Sequence, residues 1–438
     1  MLEQLLERAR READEAEVFW IEGVETPVAF EANRLKLVES KETSGVALRI
    51  IKGGRTGFSS TTDLRDVERL VQQALETIPF GPKAYASLPG VQESPLVKVY
   101  DEAVEHFPIE KMAHLGQSLL DSLHQRWAQV TWDGQVAKSV MTVRILNTRG
   151  LDVSYRKTVF SVAFEGTLIK DTDMLFVWEG DSSCRPIEEL SGIRKGLEEQ
   201  LELGQRVVAA PEGQVPVVFT QRGILGALLY PLLTGFNGHS VALGASPLIG
   251  KLGQRLFDPR LSLWDDPTME MIAGSRAFDD EGTPTERVCL VDEGVAGTFL
   301  FDLQTAGQVG AKNTGSAHRT LGSLPSPGAS VILMKQGNVP YGDLISGLKK
   351  ALVVERVLGA GQGNVMGGEF SGNVLLGYRV EDGRIIGRVK DTMISGNVYK
   401  VLSSLLALTK ESRWVGGYFC GPALCTDAVS ISSKGKGS

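Results

Sequence analysis

The chain is 438 residues long, enough for two or three domains with sizeable cores built without disulfides. Hydrophobic residues at 42% and charged residues at 23% are ordinary globular values, and a net charge of −7 with no basic block excludes an electrostatic grip on nucleic acid. Four dispersed cysteines (Cys184, Cys289, Cys420, Cys425) exclude a disulfide framework, and no run nears the roughly 20 apolar residues that span a bilayer. The charged, helical amino terminus MLEQLLERARREADEAE carries no apolar core of signal length, so a cytoplasmic location with no membrane contact is expected.

Leu2, Leu5, Leu6, Ala9, Ala13 and Ala16 share one helical face and predict an opening amphipathic helix. AEVFWIE and PVAFEANRLKLVE read as strands, and GVALRIIKGGRTGFSSTT as a hairpin about Gly53-Gly54. A helix follows from Asp63, with Leu64, Val67, Val71, Ala74, Leu75 and Ile78 apolar. Residues 1–80 thus form an α/β unit, and 81–107, rich in Pro, Gly and Ser at its start, a linker. Residues 108–210 hold a helix striped by Ile109, Met112, Leu119, Leu120, Leu123 and Trp127, then three or four antiparallel strands between Val130 and Trp178 with a turn at Asn147–Gly150. IEELSGIRKGLEEQLEL closes that segment as a helix ending at Gly204.

Pro211, Gly213 and Pro216 mark a boundary, and residues 216–438 form a strand-rich C-terminal domain. Its strands are RVCLVDEG/VAGTFLFD, SVILMKQG, NVLLGYRVEDGRIIGRV with an Asp382-Gly383 turn, and ALCTDAVSIS, with helices near 221–234, 342–350 and 396–408. Strand runs relieved by helices, without βαβ alternation, predict an α+β fold.

Several partial motifs fail on spacing. Gly359, Gly361 and Gly363 lack the third glycine of a dinucleotide loop, because Asn364 stands there and a strand follows. ASPLIGKL has Ala245 for the first glycine of a phosphate loop and Leu252 for its hydroxyl. Ser246 lacks the second glycine of a nucleophile elbow. His106, His114 and His124 read as solvated or partly packed, and Cys420 with Cys425 as core thiols rather than a metal pair.

Between Leu263 and Thr320 the acids Asp265, Asp266, Asp279, Asp280, Glu281, Asp292 and Glu293 are dense, and His318 is the one histidine. Asp265-Asp266-Pro267 and Asp279-Asp280-Glu281-Gly282 are good turn sequences, since Asp bonds its own backbone and Gly supplies positive φ. The other reading is a functional acid cluster touching a hard cation, a peptide amine or a basic partner.

Taken in order, SPLIGKLGQRL, WDDP, FDDEGTPT, the VDEG hairpin, TAGQVGAKNTGSAHR, GGEFSG and the SGN before the last helix make the whole chain resemble the TldD/PmbA family, formerly called modulators of DNA gyrase. The resemblance implies a PmbA/TldD-like fold and a two-subunit metalloprotease. In it, TldD-type subunits hold zinc through an HExxxH helix and a distant cysteine, while TldE/PmbA subunits share the fold without the ligands. Two imidazoles and a third ligand leave zinc an open position for water, and the glutamate takes the proton.

Counted back from Gly250, the HExxxH positions fall on Leu229, Tyr230 and Thr234, and Pro231 strains the run. Leu has no lone pair, Thr is a poor zinc ligand, and Tyr is a weak base. The context of Cys420, followed by GPALC, differs from that of the TldD cysteine. The resemblance therefore implies a TldE/PmbA-like subunit with no catalytic residue and no cofactor of its own, zinc being expected in a TldD-like partner. The pair would degrade or process unfolded peptides; alone, the chain would form a homodimer or another self-assembly. Asp265, Asp266, Asp279, Asp280, Glu281, Gly282, Thr314, Gly315, His318 and Arg319 are candidate contacts to peptide or partner. Two rivals stand beside this reading: a stand-alone hydrolase using the acids with a divalent cation, and a regulatory binding protein acting on gyrase or a toxin–antitoxin system.

Overall fold

A computed structural model describes residues 1–63, 65 and 67–433. Its helices are α1 (Leu2–Arg10), α2 (Val67–Thr77), α3 (Glu102–Glu105), α4 (Ile109–Arg126), α5 (Ser191–Gly204), α6 (Gln221–Ile224), α7 (Tyr230–Phe236), α8 (Gly238–Ala242), α9 (Leu303–Val309), α10 (Tyr341–Ser346) and α11 (Val398–Ser403). A π turn over Leu225–Leu229 joins α6 to α7.

Among the described residues the strands make two large sheets. The first holds β1 (Glu15–Glu31), β2 (Arg34–Val38), β3 (Lys41–Lys52), β4 (Arg55–Thr61), β5 (Val130–Asn147), β6 (Asp152–Lys170) and β7 (Asp173–Ser183). Its order is β4-β3-β1-β5-β6-β7, antiparallel throughout, with β2 folded back on β1. Strands from residues 1–80 and 108–210 therefore share one sheet. Gly53 and Gly54, with φ of 59° and 72°, make the left-handed turn that closes β3 on β4. The Asn147–Gly150 turn closes β5 on β6, with Gly150 at φ 87°.

Strand alternation sends neighbouring side chains to opposite faces. Val18, Leu48 and Ile50 face α1 and α2, packing on Leu5, Ala9, Leu70 and Val71. Phe19, Ala47, Val143 and Ile145 face the other way and meet Phe278 of the C-terminal region. Further along the sheet, α4 buries Met112, Leu120 and Leu123 with Phe30, Trp132, Phe160 and Phe164. The three histidines near α4 are exposed, and His106 lies 3.5 Å from Glu102.

The second sheet comprises β8 (Val207–Val208), β9 (Val217–Phe219), β10 (Leu263–Asp265), β11 (Val288–Asp292), β12 (Val295–Ala296), β15 (Ile332–Met334), β16 (Lys350–Leu358), β17 (Glu369–Glu381), β18 (Arg384–Val389), β19 (Thr392–Asn397), β20 (Leu405–Val415), β21 (Phe419–Thr426) and β22 (Val429–Ser433); β13 (Ala317–His318) and β14 (Ser326–Pro327) form a separate pair. The α+β expectation holds.

Locally, four readings change. The helix expected at 342–350 ends at Ser346, and β16 begins at Lys350. The helix expected to 408 ends at Ser403, and β20 begins at Leu405. Both strands contain short apolar runs that periodicity cannot assign, and sheet pairing decides them. FLFD is not a strand: Asp302 instead caps α9, accepting from Thr305 N at 2.7 Å. The helix expected from Asp63 is α2, which begins at Val67; Leu64 and the tail lysines Lys434 and Lys436 lie outside the described residues.

Within the expected linker, residues 81–101 run as an extended strap that leads into α3. Leu88, Val97 and Val99 are buried. Backbone bonds tie Thr158 N to Val99 O at 3.0 Å and Met271 N to Lys98 O at 2.7 Å, so the strap is pinned to both halves. No helix among the described residues is long and apolar enough to cross a membrane.

Candidate functional site

Part of the acid-rich segment lies against the Phe19/Ala47 face of the first sheet, where Asp265, Asp266, Asp279, Asp280 and Glu281 bond within the chain, while Asp292 and Glu293 are exposed at the end of β11 and the turn after it. Asp265, 2% exposed, accepts from Val331 N at 2.7 Å and Ser330 N at 3.0 Å. Asp279 accepts from the amides of Glu281, Thr283 and Ala317 at 2.9, 2.9 and 3.0 Å, a buried turn. Asp266 bonds Thr268 through amide and hydroxyl. Asp280 accepts from Arg319 N and pairs with Arg276 at 3.3 Å. Gly282 turns the chain at φ 78°, where a Cβ would meet Leu151 at 2.4 Å. Gly315, at φ 65°, likewise allows Pro284 O to approach.

Glu281 reaches furthest. It accepts from Arg49 Nη1 at 2.6 Å and from Leu303 N at 2.8 Å. Arg49, on β3, also binds Glu17 of β1 at 2.6 Å, and Glu17 binds Arg319 at 2.8 Å. Arg319 lies with its guanidinium 4.1 Å from the Phe19 ring centroid. That stacking explains why its Nε and Nη1 lack hydrogen-bond partners, since the ring face supplies negative charge instead. Glu17, Arg49, Glu281 and Arg319 are thus a buried hydrogen-bonded clasp between the first sheet and the C-terminal region, its charge carried by Glu17 and the two arginines. Burial opposes the charge on Glu17, but Arg319 and Arg49 outweigh it and hold its carboxyl below the ordinary value. For Glu281 burial wins, with Asp279 and Asp302 adding to it, and its carboxyl is pushed up to about 8.

His318 sits beside this clasp. Its Nε2 accepts from Arg276 Nη2 at 2.7 Å and stands 3.2 Å from the Ser330 hydroxyl. Burial and then the Arg276 charge push its pKa down to about 3, so the ring is neutral. Thr314 accepts from Phe301 N at 2.7 Å and braces the preceding loop. The acids do not fit a cation site, because their oxygens already hold amides and guanidiniums; no group of three or more His, Cys, Asp or Glu in metal-holding arrangement exists among the described residues. Glu17 and Arg49 escaped the sequence reading because an isolated Glu and Arg on amphipathic strands carry no local signal; only the register Glu17↔Arg49 pairs them.

A second feature is a cleft of about 740 Å³ along the α6–π–α7 helix. The three positions assigned to the zinc motif, Leu229, Tyr230 and Thr234, all line it. Leu229 is 2% exposed, Tyr230 is 64% exposed, and the Thr234 hydroxyl donates to Tyr230 O at 2.8 Å. Leu225, Leu233, Leu300 and Met366 extend an apolar lining in which His239 is the single imidazole and no carboxylate or thiol appears. Pro231 is accommodated beside the π turn, where the helical bonding pattern is already shifted. Cys420 and Cys425 are both on β21, five residues apart and hence on opposite faces, and both are free thiols. Burial pushes the Cys425 thiol up to about 12.

Two large sheets joined by buried charge, with a helix-lined cleft in the strand-rich half, make up an α+β frame. The family model described as the PmbA/TldA metallopeptidase C-terminal domain matches residues 212–433, and that for metallopeptidase domain 1 matches residues 16–78. The chain belongs to the PmbA/TldD family. TldE from Thermococcus kodakarensis has the same fold, with a TM-score of 0.86 at 20% identity, covering 98% of this chain and 99% of that one. A metalloprotease of Methanothermobacter thermautotrophicus is 27% identical over 417 residues, 89% of this chain and 86% of that protein. A metalloprotease TldD homolog of Haemophilus influenzae is 30% identical over 239 residues, 51% of this chain and 49% of that protein.

Proposed function

We propose that this chain is the non-catalytic, TldE/PmbA-like subunit of a TldD/TldE-type zinc metalloprotease that processes unfolded peptides in the cytoplasm. The observation that carries the reading is the donor set of the α6–α7 cleft: Leu229, Tyr230 and Thr234 stand at the assigned motif positions, with neither a second imidazole nor a carboxylate to complete a zinc site. Zinc does not fit these residues, and no step of hydrolysis is assigned to them. The chain's part is to shape the chamber, with the apolar cleft receiving side chains of an extended peptide and sheet edges offering backbone partners.

A second observation supports a partner. Val24 on β1 and Leu35, Leu37 and Val38 on β2 are 41–49% exposed, a concentration of apolar surface of the kind that marks association. The experiment is reconstitution. The purified chain alone should show no chelator-sensitive cleavage of an unfolded peptide, and adding a TldD-like subunit should produce it. Zinc-dependent turnover by the isolated chain would overturn the assignment.

A further inference from the structure

A separate cavity of about 260 Å³ lies where α5 and β7 of the first half meet α6, β16, β17 and β20 of the second. It shares no lining residue with the cleft along α7. Tyr378, on β17 and 3% exposed, lines it with a hydroxyl that has no hydrogen-bond partner. A phenol so buried ordinarily finds one, and the missing partner points to a ligand. Glu355, on β16 and 6% exposed, gives Oε1 to Arg222 Nε at 2.6 Å, and no bond to its Oε2 is found among the described residues. Arg222 is itself held between Glu355 and Glu179.

Charge decides the class of ligand. Four lining carboxylates, Glu179, Glu199, Glu355 and Glu411, face two guanidiniums, Arg222 and Arg413, which disfavours an anion. Tyr341 and Trp414 add aromatic walls suited to a cation. We propose that this cavity binds the ammonium group of a small amine, held between the free oxygen of Glu355 and the hydroxyl of Tyr378. The ammonium donates to both oxygens, so the phenol acquires the partner it lacks and the second Glu355 oxygen is satisfied. The same ammonium chemistry belongs to a free alkylamine and to a peptide amino terminus. This inference stands independently of the proposed subunit role.

Titration calorimetry on the full chain tests it, with 1,4-diaminobutane and alanyl-alanine amide as the two ammonium probes, and N-acetylated alanyl-alanine amide and glutarate as controls. Binding of one or both ammonium probes, with both controls silent, is expected, and which probe binds identifies the source. Tyr378→Phe should weaken that binding about fivefold by removing one hydrogen bond, and Glu355→Gln at least about tenfold by removing the charge. Should Glu355→Gln fail to fold once Arg222 loses its partner, Tyr378→Phe decides alone, since it deletes a single oxygen. Silence of both ammonium probes at millimolar concentration, equal binding of glutarate, or affinity unchanged in Tyr378→Phe overturns the proposal.

Discussion

His318 is an imidazole whose burial and charged neighbours together outweigh the one backbone bond, to Gly328, that favours a second proton. Arg276 donates to its Nε2 at 2.7 Å, and the Lys157 ammonium adds to the repulsion. Its folded pKa is pushed from 6.5 to about 3, so between those values the unfolded chain binds a proton that the folded chain refuses. Stability from this group is fully present above pH 6.5 and is lost as pH falls toward 3, at up to about 1.4 kcal/mol per pH unit. Urea unfolding at pH 7.5 and 5.0 should show the native chain losing about 1–2 kcal/mol more than His318→Gln over that interval. An equal loss in both proteins would mean that His318 is charged in the fold. The acids beside it were legible as turn formers: Asp279 and Asp280 do hold the turn that Gly282 permits. Their ionic partners were not legible, because Arg49 and Glu17 are some 230 to 300 residues away in sequence.

At the scale of elements, close approach of backbone explains which glycines matter. Gly223, in α6, lies so near β16 that a Cβ would sit 2.3 Å from Val354 O. Gly192, in the first turn of α5, has nothing within 4 Å of such an atom. Gly223→Ala should therefore cost about 1–3 kcal/mol by overpacking against a carbonyl that cannot move freely. Gly192→Ala should be neutral or stabilising by up to about 1 kcal/mol, since Ala is the better helix former. Thermal denaturation of the two variants beside the parent distinguishes these outcomes; a stable Gly223→Ala would show that α6 is not pressed on the sheet. The amphipathic helices and long alternating strands were readable from periodicity. β16 and β20 were not, because ALVV and LLAL are apolar on both faces and only their neighbours in the sheet assign them.

For the whole molecule, the question is what covers the β1–β2 hairpin. Leu35 and Leu37 point to one face of a short strand that, among the described residues, pairs only with the end of β1. If that surface is the subunit interface, Leu35→Glu/Leu37→Glu should abolish self-association of the isolated chain and weaken pairing with a TldD-like subunit at least about tenfold, while the unfolding midpoint changes little because both residues are exposed. Sedimentation velocity on the chain alone and on the mixture reads both effects. Association unaltered by the double substitution would move the interface elsewhere.

The order of motifs from SPLIGKLG to GGEFSG was sufficient to identify the family, and the absence of HExxxH anywhere in the chain is a fact of composition along the polymer. Such features survive in one dimension because each depends on residues close together. The tertiary structure alone decided that Asp265, Asp266, Asp279 and Glu281 face inward while Asp292 and Glu293 do not, that Glu17, Arg49, Glu281 and Arg319 clasp the two halves, and that Leu229 and Thr234 look into one cleft. Those outcomes depend on sheet register and on packing between distant segments, whose energies arise only once the chain has folded.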